Sequence, residues 1–195
     1  MVARQTQPRL IIVAVDASGS MAARRRLDAA RSAVLALLGD AYRRRDRVAM
    51  VIFRGDTAET VLRPTASIEI AKARLAELPS GGRTPLAAGL DQVTRLIRAA
   101  GREGGASPVA VIITDGRATA GEPDPVQASE AAAAELASTG APCLVIDAET
   151  GPVRLGLARS LASSLSADHL SLEDLQAGGG SNGLADAIRA RIGAA

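Results

Sequence analysis

Aromatic side chains are nearly absent from this sequence, which contains one Tyr, one Phe and no Trp among 195 residues. Proteins that bind single-stranded nucleic acid stack bases on aromatic rings, and this chain has almost no such surface to offer. The formal net charge is only +2, so a strong electrostatic attraction to nucleic acid is not expected either. We therefore expect no nucleic-acid partner.

Cysteine, histidine and lysine occur once each, as Cys143, His169 and Lys72. A single cysteine cannot form an internal disulfide, and a single histidine provides neither a multi-histidine metal site nor a convincing catalytic triad. His169 is expected to be an ordinary surface or partly buried residue. No Gly-x-x-x-x-Gly-Lys-Ser/Thr motif is present and Lys72 lies in a predicted helix, so the sequence encodes no P-loop ATPase.

Long apolar runs are also missing, and none approaches the roughly 20 residues that a membrane helix needs. The first eight residues contain one arginine and no apolar core, which is unlike a secretory signal. We expect an N-terminal tail over residues 1–8, one domain over residues 9–195, no membrane span and a cytoplasmic location.

Short apolar segments alternate with longer segments of helical periodicity. The predicted strands are 9–15, 48–53, 60–62, 109–114, 143–147 and 168–172, and the predicted helices are 22–43, 67–77, 86–100, 125–139, 155–165 and 182–192. This alternation predicts an α/β fold of Rossmann-like, doubly wound type, with a mostly parallel sheet and helices on both faces. The glycine-rich segment 178–181 is predicted to be a loop before the last helix.

One carboxylate and two hydroxyls follow the first strand at two-residue spacing, as Asp16, Ser18 and Ser20. Ligands bind at the carboxyl ends of parallel strands, and oxygen side chains are the ligands that Mg²⁺ prefers. The same residue types also favour turns and helix N-termini, so this loop alone leaves a cap and a metal site equally open.

Two further oxygen side chains favour the metal site. Thr84 lies in a glycine-containing loop before Pro85, and Asp115 ends the apolar run 109–114. Three loops are thus predicted to converge at one edge of the sheet. Asp147 also ends a strand there, but it is interpreted as a turn or supporting residue and left out of the ligand set.

This constellation resembles the metal-ion-dependent adhesion site of the von Willebrand factor A (VWA) domain. The family takes an Asp and two Ser from one loop, a Thr from a second and an Asp from a third. The resemblance narrows to the C-terminal domain of the magnesium chelatase D subunit over roughly residues 9 to 175, because of the segments Asp40–Ala49, Phe53–Asp56, Leu78–Leu90 and Val153–Ala158.

The resemblance implies Mg²⁺, or alternatively Mn²⁺, bound by Asp16, Ser18, Ser20, Thr84 and Asp115. It further implies a non-catalytic interaction domain whose cation takes a carboxylate from an AAA+ ATPase, of the chelatase I-subunit or MoxR type. The D subunit also carries an AAA+ like domain and an acidic, proline-rich linker, which this sequence lacks. The chain is therefore either a separate protein, which Met1 favours, or a piece of a longer one.

Two other functions remain open: a VWA scaffold module that binds an unrelated acidic peptide, and a metal-dependent hydrolase, for which no general base is evident. The arginine runs Arg24–Arg26 and Arg43–Arg45 are expected to be solvated helix faces. The tripeptide Arg54–Asp56 is expected to be a polar loop after the second strand.

Overall fold

The computed structural model describes residues 8–19, 21–150, 154–179 and 182–194. The strands are β1 (Arg9–Asp16), β2 (Arg47–Arg54), β3 (Thr57–Thr65), β4 (Ser107–Thr114), β5 (Cys143–Asp147) and β6 (Asp168–Ser171). The helices are α1 (Met21–Arg44), α2 (Ile68–Arg74), α3 (Leu86–Glu103), α4 (Pro125–Ser138), α5 (Leu157–Ser164), α6 (Leu172–Gly179) and α7 (Gly183–Ala194). None of these helices combines the length and the apolarity needed to cross a bilayer.

The six strands form one sheet in the order β3-β2-β1-β4-β5-β6. Strand β3 pairs with β2 in antiparallel orientation, and the other neighbours are parallel. This arrangement confirms the predicted Rossmann-like, mostly parallel α/β fold. Because β1 and β4 are neighbours, the loops that follow Asp16 and Thr114 leave the sheet side by side.

Both faces of the sheet are covered by helices, and β1 shows how the sequence produces this arrangement. Ile11, Val13 and Val15 point into a core shared with α1, α2 and α7, whereas the alternate residues point into a core shared with α3, α4 and α5. Because successive side chains of a strand point to opposite faces, a strand buried on both faces must be apolar throughout.

Helix α3 comes unusually close to the sheet at Gly89. A Cβ atom on this residue would lie 2.6 Å from Cδ1 of Phe53, the only phenylalanine of the chain and 1% exposed. Gly89 therefore lets the helix rest directly on an aromatic ring. The close packing lies in the first turn of α3, five residues after Thr84.

Two elements differ from the sequence prediction. Strand β3 extends well beyond the predicted 60–62. The prediction is too short because an edge strand is partly solvated, and its polar residues hide the alternation of apolar side chains. Helix α6 was not predicted, and it includes Gly178 and Gly179, so the loop expected at 178–181 is wrong for these two residues. Leu172 and Leu175 of α6 pack against the core at helical spacing, but eight residues are too few for a clear periodicity.

Candidate metal centre

The loop after β1 folds around the carboxylate of Asp16, which is 0% exposed. Oδ1 accepts a hydrogen bond from the backbone N–H of Ser18 at 2.9 Å, and Oδ2 accepts one from the Thr114 hydroxyl at 3.2 Å. The first contact closes a turn within the loop, and the second joins the loop to the end of β4. Asp16 therefore has a fixed position at the carboxyl edge of the sheet.

Thr84 reaches the same place from the loop before α3. Its hydroxyl donates a hydrogen bond to Oγ of Ser18 at 2.8 Å, across 66 positions in the sequence. The two backbones are also joined, by Gly81 N–H to the Ala17 carbonyl at 2.8 Å and Gly19 N–H to the Gly82 carbonyl at 3.2 Å. Ser18 and Thr84 are 7% and 6% exposed, so two buried hydroxyls meet beside a buried carboxylate.

The backbone of Thr84 is hydrogen-bonded to the loop after β4. The N–H of Thr84 donates to Oγ1 of Thr119 at 2.8 Å, and the carbonyl of Thr84 accepts from the N–H groups of Thr119 and Ala120 at 3.0 and 3.2 Å. The three loops predicted to converge are thus hydrogen-bonded to one another.

Asp115 begins this third loop. Its Oδ1 accepts the N–H of Arg117 at 3.0 Å, and its Oδ2 lies 3.7 Å from the guanidinium Nε of the same residue. The next residue, Gly116, has φ +80°, and a Cβ there would lie 2.3 Å from the backbone N of Ala158. The start of α5 therefore packs directly against the loop that carries Asp115.

Ser20 lies outside the described residues, so its assignment to the metal stays a prediction. The tripeptide Arg54–Asp56 is the end of β2 and the turn that follows it, as expected. Asp56 forms an ion pair with Arg83, and Gly55 N–H donates to the Arg83 carbonyl at 2.9 Å. The turn thus supports the loop that contains Thr84.

Sequence reasoning missed Arg26, which was expected on a solvated face and is only 4% exposed. Its Nε donates to the carbonyl of Asp16 at 2.7 Å, and its Nη2 donates to the carbonyl of Ser18 at 2.7 Å. Nη2 also lies 3.5 Å from Oδ1 of Asp16. Arg24 and Arg25 are exposed, as predicted.

The pattern of α1 contains a signal for this burial. The buried residues Ala23, Leu27 and Ala30 form an apolar stripe at spacings of three and four, and position 26 lies on the same face. An arginine within such a stripe must find acceptors inside the protein, because a buried charge is costly without partners.

Opposing effects act on the Asp16 carboxyl. Burial raises its pKa above the usual value, and the charge of Asp115 acts in the same direction. The Arg26 guanidinium and the hydrogen bonds from Ser18 lower the pKa, but they do not cancel the effect of burial. A cation at this position would favour the ionised carboxylate, as the arginine does.

The donor chemistry fits a small divalent cation. The convergent groups are carboxylate and hydroxyl oxygens, which hard cations prefer. Among the described residues, no three Asp, Glu, His or Cys side chains form a cluster that could hold a metal. A cation bound here would therefore depend on the hydroxyls of Ser18 and Thr84 as well as on carboxylates.

A second polar cluster lies at the carboxyl end of β5, beside the neighbouring strand β6. Oδ2 of Asp147 lies 3.2 Å from Nε2 of His169, and Oδ1 accepts the N–H of Glu149 at 2.8 Å. Glu149 in turn accepts the N–H groups of Leu155 and Gly156, and the Leu155 hydrogen bond is the main reason that the pKa of its carboxyl is lowered. Asp147 thus supports a turn, as predicted, and His169 is partly buried.

Comparisons with known proteins agree with this architecture. A sequence profile of the von Willebrand factor type A domain matches residues 11–117. The uncharacterized protein Rv2850c of Mycobacterium tuberculosis is 52% identical over 169 residues, covering 86% of this chain and 27% of that protein. The magnesium-chelatase 60 kDa subunit of Cereibacter sphaeroides is 46% identical over 178 residues, covering 87% of this chain and 31% of the subunit.

Among solved structures, a von Willebrand factor type A protein from Catenulispora acidiphila matches with a TM-score of 0.66 at 21% identity, over 94% of this chain and 42% of that chain. The chain spans less than a third of the length of Rv2850c and of the Cereibacter sphaeroides subunit. The resemblance to magnesium chelatase subunits expected from the sequence is confirmed. With a profile match over more than half of its length, the chain belongs to the von Willebrand factor type A domain family.

Proposed function

We propose that this domain binds Mg²⁺ at the edge formed by Asp16, Ser18, Ser20, Thr84 and Asp115, and uses the cation to capture a carboxylate of a partner protein. The observation that carries the proposal is the hydrogen bond between the Thr84 and Ser18 hydroxyls, 2.8 Å long, beside the fully buried carboxylate of Asp16. Buried oxygen groups from separate loops meet here although a less polar arrangement would cost less to bury. Mn²⁺ has similar ligand preferences and is expected to substitute.

The chemistry supplied by the cation is recognition. Mg²⁺ takes six oxygen ligands and keeps several waters, so a site with few protein ligands leaves a position that a Glu or Asp of a partner can fill. The carboxylate of Asp16 and the hydroxyls of Ser18 and Thr84 hold and orient the cation. In this proposal the carboxylates of Asp16 and Asp115 serve the cation and not as a general base, so the domain acts in recognition and not as a hydrolase.

The partner class is proposed from the relatives. Similarity to magnesium-chelatase subunits over most of this chain supports a partner of the chelatase I-subunit type, or a related MoxR-type AAA+ ATPase. In this proposal the ATPase supplies the acidic side chain and the domain supplies the metal. An unrelated acidic peptide is the competing partner.

Affinity capture tests both parts together. Wild-type protein and Asp16→Asn are used as baits in Mg²⁺ and in EDTA, and the eluted proteins are identified. Asp124→Asn is the matched control, because Asp124 caps α4 by accepting the N–H groups of Val126 and Gln127, and Asn caps equally well.

We expect an AAA+ ATPase to elute from wild type and Asp124→Asn in Mg²⁺ only. Retention of the same proteins by all baits in both buffers would contradict the role of the metal. Metal-dependent retention of a protein that is not an ATPase would contradict the partner class and favour the scaffold function. Turnover of a generic phosphoester that is lost in Asp115→Ala would instead favour the hydrolase.

A further inference from the structure

Arg26 carries a permanent positive charge into the interior beside the candidate metal centre. A guanidinium is not deprotonated in proteins, so its burial at 4% exposure must be balanced by acceptors. Two backbone carbonyls accept its hydrogen bonds and one carboxylate oxygen forms an ion pair with it, and all three oxygens belong to Asp16 or Ser18. The hydrogen bonds of this buried charge are thus directed at the metal-binding loop.

The geometry of these contacts fixes the shape of the loop. Nε and Nη2 of Arg26 belong to one rigid, planar guanidinium group and cannot rotate relative to each other. Two carbonyls that accept hydrogen bonds from these nitrogens are therefore held at a fixed separation. Those carbonyls belong to Asp16 and Ser18, the two described candidate ligands of the first loop. Fixing the carbonyl of Ser18 also fixes the backbone from which its hydroxyl meets Thr84.

The arginine is itself held by a rigid support. It lies in the first turns of α1, a helix of 24 residues, between Ala23 and Leu27, which are 0% and 5% exposed. The neighbouring Arg25 is exposed and its Nη2 donates to the side chain of Gln176 at 3.3 Å, away from this loop. The contact with the loop therefore depends on position 26 and on the fork-shaped group it carries.

We propose that Arg26 is a positioning residue that keeps residues 16–19 in their metal-binding conformation before the metal arrives. This inference rests on the proposed function, because it concerns the same Mg²⁺ site. Its consequence is that the metal-free protein has an ordered loop, so that metal binding does not have to fold it. The hydrogen bonds of Arg26 offset the conformational entropy lost when the loop is ordered, so the binding energy of the metal does not have to offset it.

The test is Arg26→Lys, which keeps the charge but has no planar fork for two carbonyls. Arg25→Lys is the matched control on the same helix. Amide hydrogen exchange of Ala17, Ser18 and Gly19, each of which donates a hydrogen bond, is measured in EDTA. Mg²⁺ affinity is measured by calorimetric titration of the chelator-free proteins.

We expect Arg26→Lys to exchange these three amides at least about tenfold faster and to bind Mg²⁺ at least about tenfold more weakly, whereas Arg25→Lys matches wild type. Unchanged exchange overturns the positioning role, and so does faster exchange with unchanged affinity. Weaker binding with unchanged exchange means that the residue acts through something other than position, which also overturns it.

If Arg26→Lys does not fold, exchange in EDTA is measured on Arg26→Gln, which removes the buried charge and reaches at most one carbonyl. Faster exchange supports the inference, and wild-type exchange overturns it. Failure of the proposed function gives a different result, since wild-type protein would then bind no Mg²⁺ at all.

Discussion

Gly116 offers a quantitative test of how the loop after β4 is packed. The residue has φ +80°, and a Cβ atom built on it would lie 2.3 Å from the backbone N of Ala158 and 2.4 Å from the carbonyl carbon of Leu157. Both of these atoms are backbone at the start of α5, so no side chain can swing aside. Gly116→Ala must therefore displace α5 or the loop that carries Asp115.

Two costs add in this variant. An alanine in the left-handed region costs about 1–2 kcal/mol of free energy of unfolding, and forced overpacking costs about 1–3 kcal/mol more. The sum is a loss of about 2–5 kcal/mol. For a chain of this size each kcal/mol lowers Tm by about 2–4 °C, so the expected decrease is about 4–20 °C.

Gly140→Ala separates the two costs. Gly140 has a similar φ of +69°, but nothing lies within 4 Å of the Cβ position, so only the backbone cost of about 1–2 kcal/mol applies. Urea unfolding of both variants in EDTA, followed by circular dichroism, measures the difference. Equal losses in the two variants would refute the claim that α5 packs tightly against the Asp115 loop.

Two further predictions concern other positions. Gly89→Ala should lose up to about 2 kcal/mol of unfolding free energy, since overpacking against Phe53 outweighs the gain in helix propensity. Gly101→Ala, in the same helix and with nothing within 4 Å of its Cβ position, should gain up to about 1 kcal/mol of unfolding free energy. Urea unfolding measures both changes, and losses in both variants would contradict the packing at Phe53. Burial raises the pKa of the Cys143 thiol to about 11, so its reactive thiolate becomes abundant only near that pH. Iodoacetamide at pH 8 should modify native protein at least about tenfold more slowly than urea-unfolded protein, and equal rates would contradict the burial.

The sheet could be predicted from the sequence because its central strands are buried on both faces. Such strands read as continuous apolar runs, and Leu10–Val15 and Val109–Ile113 are two of them. The convergence of Asp16 and Asp115 at one edge follows from the parallel topology alone. The hydrogen bond from the Thr84 hydroxyl to Ser18 depends on the backbone conformation of the glycine-containing loop before α3. The sequence indicates that this loop turns, but not which conformation it adopts.

The remaining features depend on tertiary contacts. Arg26 lies on the apolar stripe of α1, which the sequence spacing indicates, but the carbonyls that accept its hydrogen bonds belong to the loop after β1 and follow only from the fold. Helix α6 places Leu172 in the core and packs Leu175 against it, and its remaining length carries no periodic signal. The polar edge strand β3 is stabilised by pairing with β2, which single-residue propensities underestimate.

If the Ser18 and Thr84 hydroxyls bind Mg²⁺ together with Asp16, removing one of these hydroxyls must weaken the binding. Calorimetric titration of Mg²⁺ into wild type, Thr84→Val and Thr94→Val measures this effect. Thr94 is the matched control because its hydroxyl is also buried, at 3% exposure, and donates to the Leu90 carbonyl within α3 at 3.0 Å. We expect one site of equal affinity in wild type and Thr94→Val, and at least about tenfold weaker binding in Thr84→Val. Equal affinity in all three proteins, or no binding by wild type, would contradict this assignment of ligands.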